Sequence, residues 1–235
     1  MVVSIILLSI GAVMSGVFIV SKVINYSLKT IIFKTIASLF FVALGAYLVA
    51  IIPDHTLFKV FTLLGLIFGM LGDVFLGFKY ITTKTKKLWI LLGMFAFLLG
   101  HVFYIVALFV EFYIPGNWWY ILLPFVTAIC MCAIYMVIAK RVGIDFGPKM
   151  LPFGLMYLFC LTTMLSTALY MAILQGFSNV TSILFLVGAM CFATSDFMLT
   201  GSYFKPGERP KYYGAVYSVF YYLAQFIIAF SIFFL

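Results

Sequence analysis

The sequence predicts an all-α polytopic membrane protein, a bundle of eight transmembrane helices forming a single domain over residues 1–235. Three observations predict it. The chain is 66% apolar and only 9% charged, whereas a soluble domain carries about 25% charged residues. Twenty charged side chains cannot coat a globule of 235 residues, which excludes a soluble enzyme and a disordered chain. The apolar residues fall into eight runs, each near the roughly 20 residues that a bilayer requires of a helix. Period-two alternation persists nowhere, so strands are not expected. Finally, the basic residues alternate with the runs.

The first run, Val2–Ile24, opens without a basic leader, and no small-x-small cleavage site follows it at signal-peptide distance. It reads as the first span rather than a removed signal. The second, Ile31–Ile52, stops at Pro53-Asp54. The third is Leu57–Phe78. The fourth, Leu88–Val110, precedes the break Pro115-Gly116-Asn117. The fifth, Trp118–Ala139, is separated by Gly147-Pro148 from the sixth, Met150–Leu174, which stops at Gln175-Gly176. The seventh, Val180–Phe204, ends before Pro206-Gly207, and the eighth is Tyr212–Leu235. Proline and glycine mark each of these breaks as a place where a helix stops. Trp89, Trp118 and Trp119 sit at run ends, as interfacial anchors do.

Thirteen of the 14 basic residues flank odd-numbered loops, and Lys59 alone lies on the even side. The positive-inside rule therefore predicts cytoplasmic odd loops, with both termini outside a cell membrane. The net charge of +8 is thus a matter of topology and lipid head groups, and nucleic acid is not an expected partner. Cys130, Cys132, Cys160 and Cys191 lie inside apolar runs and read as buried free thiols with no metal-ligand spacing. His55 and His101 stand too far apart for a histidine-rich zinc site.

Of the six acids, Asp54, Glu111, Asp145 and Glu208 lie in loops or at their edges. Asp73 and Asp196 lie inside spans, where an ionisable group is costly and usually functional. Asp73 precedes Lys79 by about 9 Å of helix and Asp196 precedes Lys205 by about 13 Å. Their spans run in the same direction, so one shared site in the cytoplasmic half is expected; pairing with lysines or capping of a broken helix is the structural alternative. Gly72-Asp73-Val74-Phe75-Leu76 resembles Ser195-Asp196-Phe197-Met198-Leu199 four spans later, consistent with a parallel four-plus-four internal repeat. Gly65, Gly69 and Gly72 form a small-residue stripe suited to close helix approach. His101 and Tyr104 share a face, as do Tyr221, Tyr222 and Gln225. A membrane histidine is also a common helix–helix hydrogen-bond donor. Lys34, at the cytoplasmic start of the second span, reads either as a snorkelling topology lysine or as a counter-ion for a lipid phosphate.

Together, Gly72-Asp73, His101…Tyr104, Ser195-Asp196 and Tyr221-Tyr222-Leu223-Ala224-Gln225 resemble, in order, spacing and span number, the YhhN-type lysoplasmalogenase family. That family usually opens its second span with Lys-Pro; here Lys34 is followed by Thr35. The resemblance implies an integral membrane hydrolase, independent of metal or other cofactor. It would cleave the vinyl ether of a lysoplasmalogen to a fatty aldehyde and glycerophosphoethanolamine or glycerophosphocholine. A vinyl ether yields to acid. Protonation of its outer carbon gives an oxocarbenium ion, water adds, and the hemiacetal collapses. The acid must be protonated near neutral pH, whereas a free aspartate has a pKa of about 3.9; desolvation and a neighbouring carboxylate favour the neutral form. Asp73 and Asp196 are the expected catalytic pair, with roles undivided. His101, Tyr104, Ser195, Tyr221, Tyr222 and Gln225 would orient water and the carboxyls, and Lys34 would hold the phosphate.

Two rivals share the paired acids. Intramembrane aspartyl proteases carry Gly-x-Gly-Asp and Tyr-Asp, but here Met70 and Ser195 occupy the discriminating positions. A proton-coupled transporter of small molecules or lipids suits paired acids and a repeat, but the acidic spans contain no evident mid-helix break. Head-group preference and oligomeric state are not written in the sequence.

Overall fold

The structure is a computed structural model describing residues 1–82, 84–205, 207 and 210–235. Pro206 and Glu208, named above, and Arg209, one of the basic residues of the seventh loop, lie outside the described residues, as does the Lys211 side chain. Eight α-helices follow one another among the described residues: α1 (Val2–Ile24), α2 (Leu28–Ile51), α3 (Thr56–Phe78), α4 (Lys86–Phe112), α5 (Trp119–Arg141), α6 (Gly147–Leu174), α7 (Val180–Phe204) and α8 (Lys211–Ser231), the last closed by a 3-10 turn. All eight are long and apolar enough to cross a membrane. Large apolar side chains such as Val13, Val126 and Val219 cover the outer faces, as lipid rather than water would require.

The ends differ from the expected runs for local reasons. α2 begins three residues early because Ser27 and Thr30 form a capping box. α6 begins at Gly147, so Gly147-Pro148 starts a helix as well as interrupting one. Proline lacks the N–H that the first turn cannot use. α3 and α7 are continuous through their aspartates.

Six helices close a ring in the order α2–α3–α4–α6–α7–α8–α2, while α1 packs outside on α2 and α8, and α5 outside on α6. The expected burial of the cysteines fails, and for Cys130 and Cys132 the peripheral place of α5 explains it. All four thiols are free, but Cys130 faces outward and the other three are only partly covered.

Several contacts recur at the offset of the expected repeat. Asp73 and Asp196 stand 123 residues apart, as do Lys34 and Tyr157, and each earlier residue of α2 bonds the acid of α3 as its later counterpart on α6 bonds that of α7. Gly65 makes room for Tyr104 on α4, and Gly188, again 123 residues on, makes room for Ile228 on α8. The small-residue stripe continues in α3. Gly69 faces Gln225, and a Cβ on Gly72 would lie 2.6 Å from the Phe97 ring. These contacts let α3, α4 and α8 approach closely around the acids.

Candidate functional site

Asp73 projects from α3 and is 2% exposed. Its carboxyl has three polar partners. Lys34 Nζ lies 2.8 Å from Oδ1, while Ser38 Oγ at 2.5 Å and the Tyr221 hydroxyl at 2.7 Å both donate to Oδ2. Lys34 and Ser38 are one turn apart on α2, so one face of that helix presents a cation and a donor together. Behind Tyr221 the chain of bonds continues: Gln225 Nε2 donates to the Tyr221 hydroxyl at 3.3 Å, and the Tyr104 hydroxyl donates to Gln225 Oε1 at 2.7 Å. Gln225 thus has the partner that its depth requires.

Asp196, 5% exposed on α7, has different company. The Tyr157 hydroxyl of α6 donates to its Oδ2, and among the described residues no cation pairs with it. His101 lies behind, with Nε2 3.3 Å from the Tyr157 hydroxyl and Nδ1 unpartnered among the described residues. Since the phenol proton goes to Asp196, Nε2 is the donor, which suits a neutral ring with its hydrogen on that nitrogen. His101 also packs edge-on against Phe192, with centroids 4.8 Å apart. His55, the other histidine, is engaged elsewhere, with Glu111 at 2.6 Å.

Asp73, Asp196, Lys34, Ser195 and Tyr221 line a single cleft. The cleft offers about 40 Å³ to the centres of water molecules, which at roughly 10–15 Å³ apiece accommodates about three. Asp196 also borders a second cavity, walled largely by apolar side chains including Met94, Phe97, Leu158 and Leu161. The second acid therefore lies between a cleft that carries the lysines and Asp73 and a cavity with more apolar walls.

The structure thus brings together most of the residues singled out from the sequence, with two adjustments. Lys34 does not snorkel, since its ammonium turns inward to Asp73. Tyr222 reaches neither acid; its hydroxyl donates to the Lys34 carbonyl at 3.3 Å, and its ring packs on Phe18 and Phe41. Tyr157 and Ser38 were missed. Two signals point to them: Tyr157 follows Lys34 at the spacing that separates the acids, and Ser38 lies one turn beyond Lys34.

Fold and site together define a polytopic α-helical membrane protein with two buried acids on one cleft. The chain belongs to the YhhN family, whose model matches residues 29–232. No curated protein and no solved structure matches the chain.

Proposed function

We propose that the protein is a lysoplasmalogenase-type ether hydrolase that cleaves the vinyl ether of a lysophospholipid within the bilayer. The observation that carries this reading is the asymmetry of the two acids. Asp73 is held by a lysine and two hydroxyls. Asp196 bonds a neutral phenol and borders both the polar cleft and the apolar cavity.

The asymmetry divides the roles. Asp73, ion-paired with Lys34, is the resident carboxylate. Asp196 is the proton donor, with Tyr157 bonded to one oxygen and the other available to substrate. The alkenyl chain approaches from the apolar cavity and the glycerophospho part from the mouth of the cleft, so that the ether bond meets Asp196. Asp196 gives its proton to the outer vinyl carbon, and positive charge develops on the carbon attached to oxygen, where the Asp73 carboxylate stabilises it. A water in the cleft adds to that carbon and returns one proton to Asp196. The hemiacetal then breaks its bond to the glycerol oxygen. The hemiacetal proton passes to that oxygen, and aldehyde and alcohol separate. His101 positions Tyr157. Tyr104 and Gln225 position Tyr221, and Ser195 lines the cleft beside Asp196.

Purified protein should release a fatty aldehyde from a lysoplasmalogen. Asp73→Asn and Asp196→Asn should each lower kcat/KM by roughly 10²–10⁴-fold, the range lost with a general acid or base. Near-normal activity in either variant rejects the pair. Proton-dependent solute flux in proteoliposomes without aldehyde release would favour the transporter.

A further inference from the structure

The described basic residues of the odd-numbered loop ends divide into two groups. Lys29, Lys84, Lys86, Lys87, Lys140, Arg141, Lys149 and Lys205 are exposed, as lysines and arginines that set topology should be. Lys22, Lys34 and Lys79 turn inward. Lys34 has Asp73. The other two have no carboxylate partner among the described residues. The Lys22 ammonium lines the cleft and donates to the Gly214 carbonyl at 2.9 Å and to Ser218 Oγ at 2.8 Å, and it sits 3.9 Å from the Tyr217 ring centroid. Lys79 is 4% exposed. Its ammonium lies 3.3 Å from the centroid of Tyr203, a ring that lines the cleft, and 4.5 Å from that of Tyr80.

Gly214 is part of this arrangement. A Cβ there would lie 3.3 Å from Lys22 Cε, so the glycine lets the lysine lie along α8. Burial, together with the positive charges of Lys34, Lys22 and Lys86, pushes the Lys79 ammonium down from the ordinary lysine range. A half-buried ammonium at Lys22 and a buried one at Lys79, facing rings and neutral oxygens, are costly unless an anion joins them. A snorkelling role does not explain them, because their eight exposed neighbours already fill it.

We propose that the outer half of the cleft binds a phosphate group beside Lys22, which lines it, with Lys79 reaching the group past the cleft-lining rings of Tyr203 and Tyr80 and the surrounding tyrosines as donors, and that its ligand is the headgroup phosphodiester of a single-chain lipid. The lipid identity rests on the hydrolase reading; the anion site rests on the lysines. Lys22 precedes the segment matched by the family model, residues 29–232. Phosphate binding here would set the depth of the glycerol and so present the ether bond to Asp196.

The test uses the full-length protein in neutral detergent and probes that the vinyl-ether chemistry does not consume: an ester lysophosphatidylethanolamine, a neutral monoacylglycerol of the same chain, and inorganic phosphate. Lys22→Gln and Lys79→Gln should each weaken the lysophospholipid by about tenfold, the loss expected for one charged hydrogen bond. Both should leave monoacylglycerol binding unchanged, and Lys87→Gln should alter neither. Lys22→Arg should restore most of the Lys22→Gln loss, separating a charge effect from misfolding. Equal losses for both lipids, or no loss in either variant, overturn the site. Inorganic phosphate binding as tightly as the lysophospholipid overturns the lipid assignment. Absence of aldehyde release from a vinyl-ether substrate would reject the hydrolase while leaving this result intact.

Discussion

At the scale of single residues, the environment of each aspartate matters more than its presence. Lys34 and Asp73 form a buried pair, 14% and 2% exposed at 2.8 Å. Removing only the cation leaves an uncompensated carboxylate, so Lys34→Met should destabilise by roughly 3 kcal/mol. Lys34→Met combined with Asp73→Asn should recover much of that loss in a thermal or denaturant melt, because the charge is then gone. Additive losses would show that the pair is not coupled. Tyr157→Phe removes the one hydroxyl that bonds the Asp196 carboxyl among the described residues without emptying space. It should cost roughly tenfold to a hundredfold in kcat, the equivalent of one charge-assisted bond, with little change in melting. An unaltered kcat would leave Tyr157 a packing residue.

At the scale of elements, glycines decide how close the helices come. On α3, a side chain at Gly72 collides with Phe97, and none at Gly16 of α1 meets anything within 4 Å. Gly72→Leu should therefore cost about 1–3 kcal/mol as overpacking, whereas Gly16→Leu should fall within about 0.5 kcal/mol of the parent; comparable losses would mean that the contact at Gly72 does not govern. A related contrast concerns the cavity beyond Asp196. Gly154 lines it, and a Cβ there would lie 3.1 Å from the Phe146 ring. Gly154→Leu should shift preference toward shorter alkenyl chains, read as the ratio of kcat/KM across chain lengths. An unchanged ratio would place the chain elsewhere. At the opposite end of the bundle, Lys59 donates to the Ile52 carbonyl, and His55 meets Glu111 at 2.6 Å. These contacts tie the α2–α3 turn to the end of α4 and satisfy a helix-terminal carbonyl.

At the scale of the whole molecule, the distribution of basic residues predicts orientation. In a cysteine-free background, Lys87→Cys should react with an impermeant maleimide only from the cytoplasmic side, and Trp118→Cys only from the other; the reverse labelling would invert the topology and move the cleft mouth outward. Span number, helix ends and the two acids were legible in the sequence because they follow from local costs. A polar group in hydrocarbon is expensive wherever the helix sits, and proline, glycine and capping residues act on their own turn. The inward faces were less legible. Lipid is as apolar as leucine, so a membrane helix need not mark its buried side by hydrophobicity. Lys34 and Lys29 look alike in sequence, yet the first turns to Asp73 and the second is exposed. Tyr157 is one of 15 tyrosines, and only the approach of α6 to α7 selects it. The sequence by itself determined that eight helices cross a membrane and carry two deep acids. The tertiary structure decided which acid holds a cation, which faces an apolar cavity, and which lysines turn inward, because those outcomes depend on contacts between helices far apart in the chain.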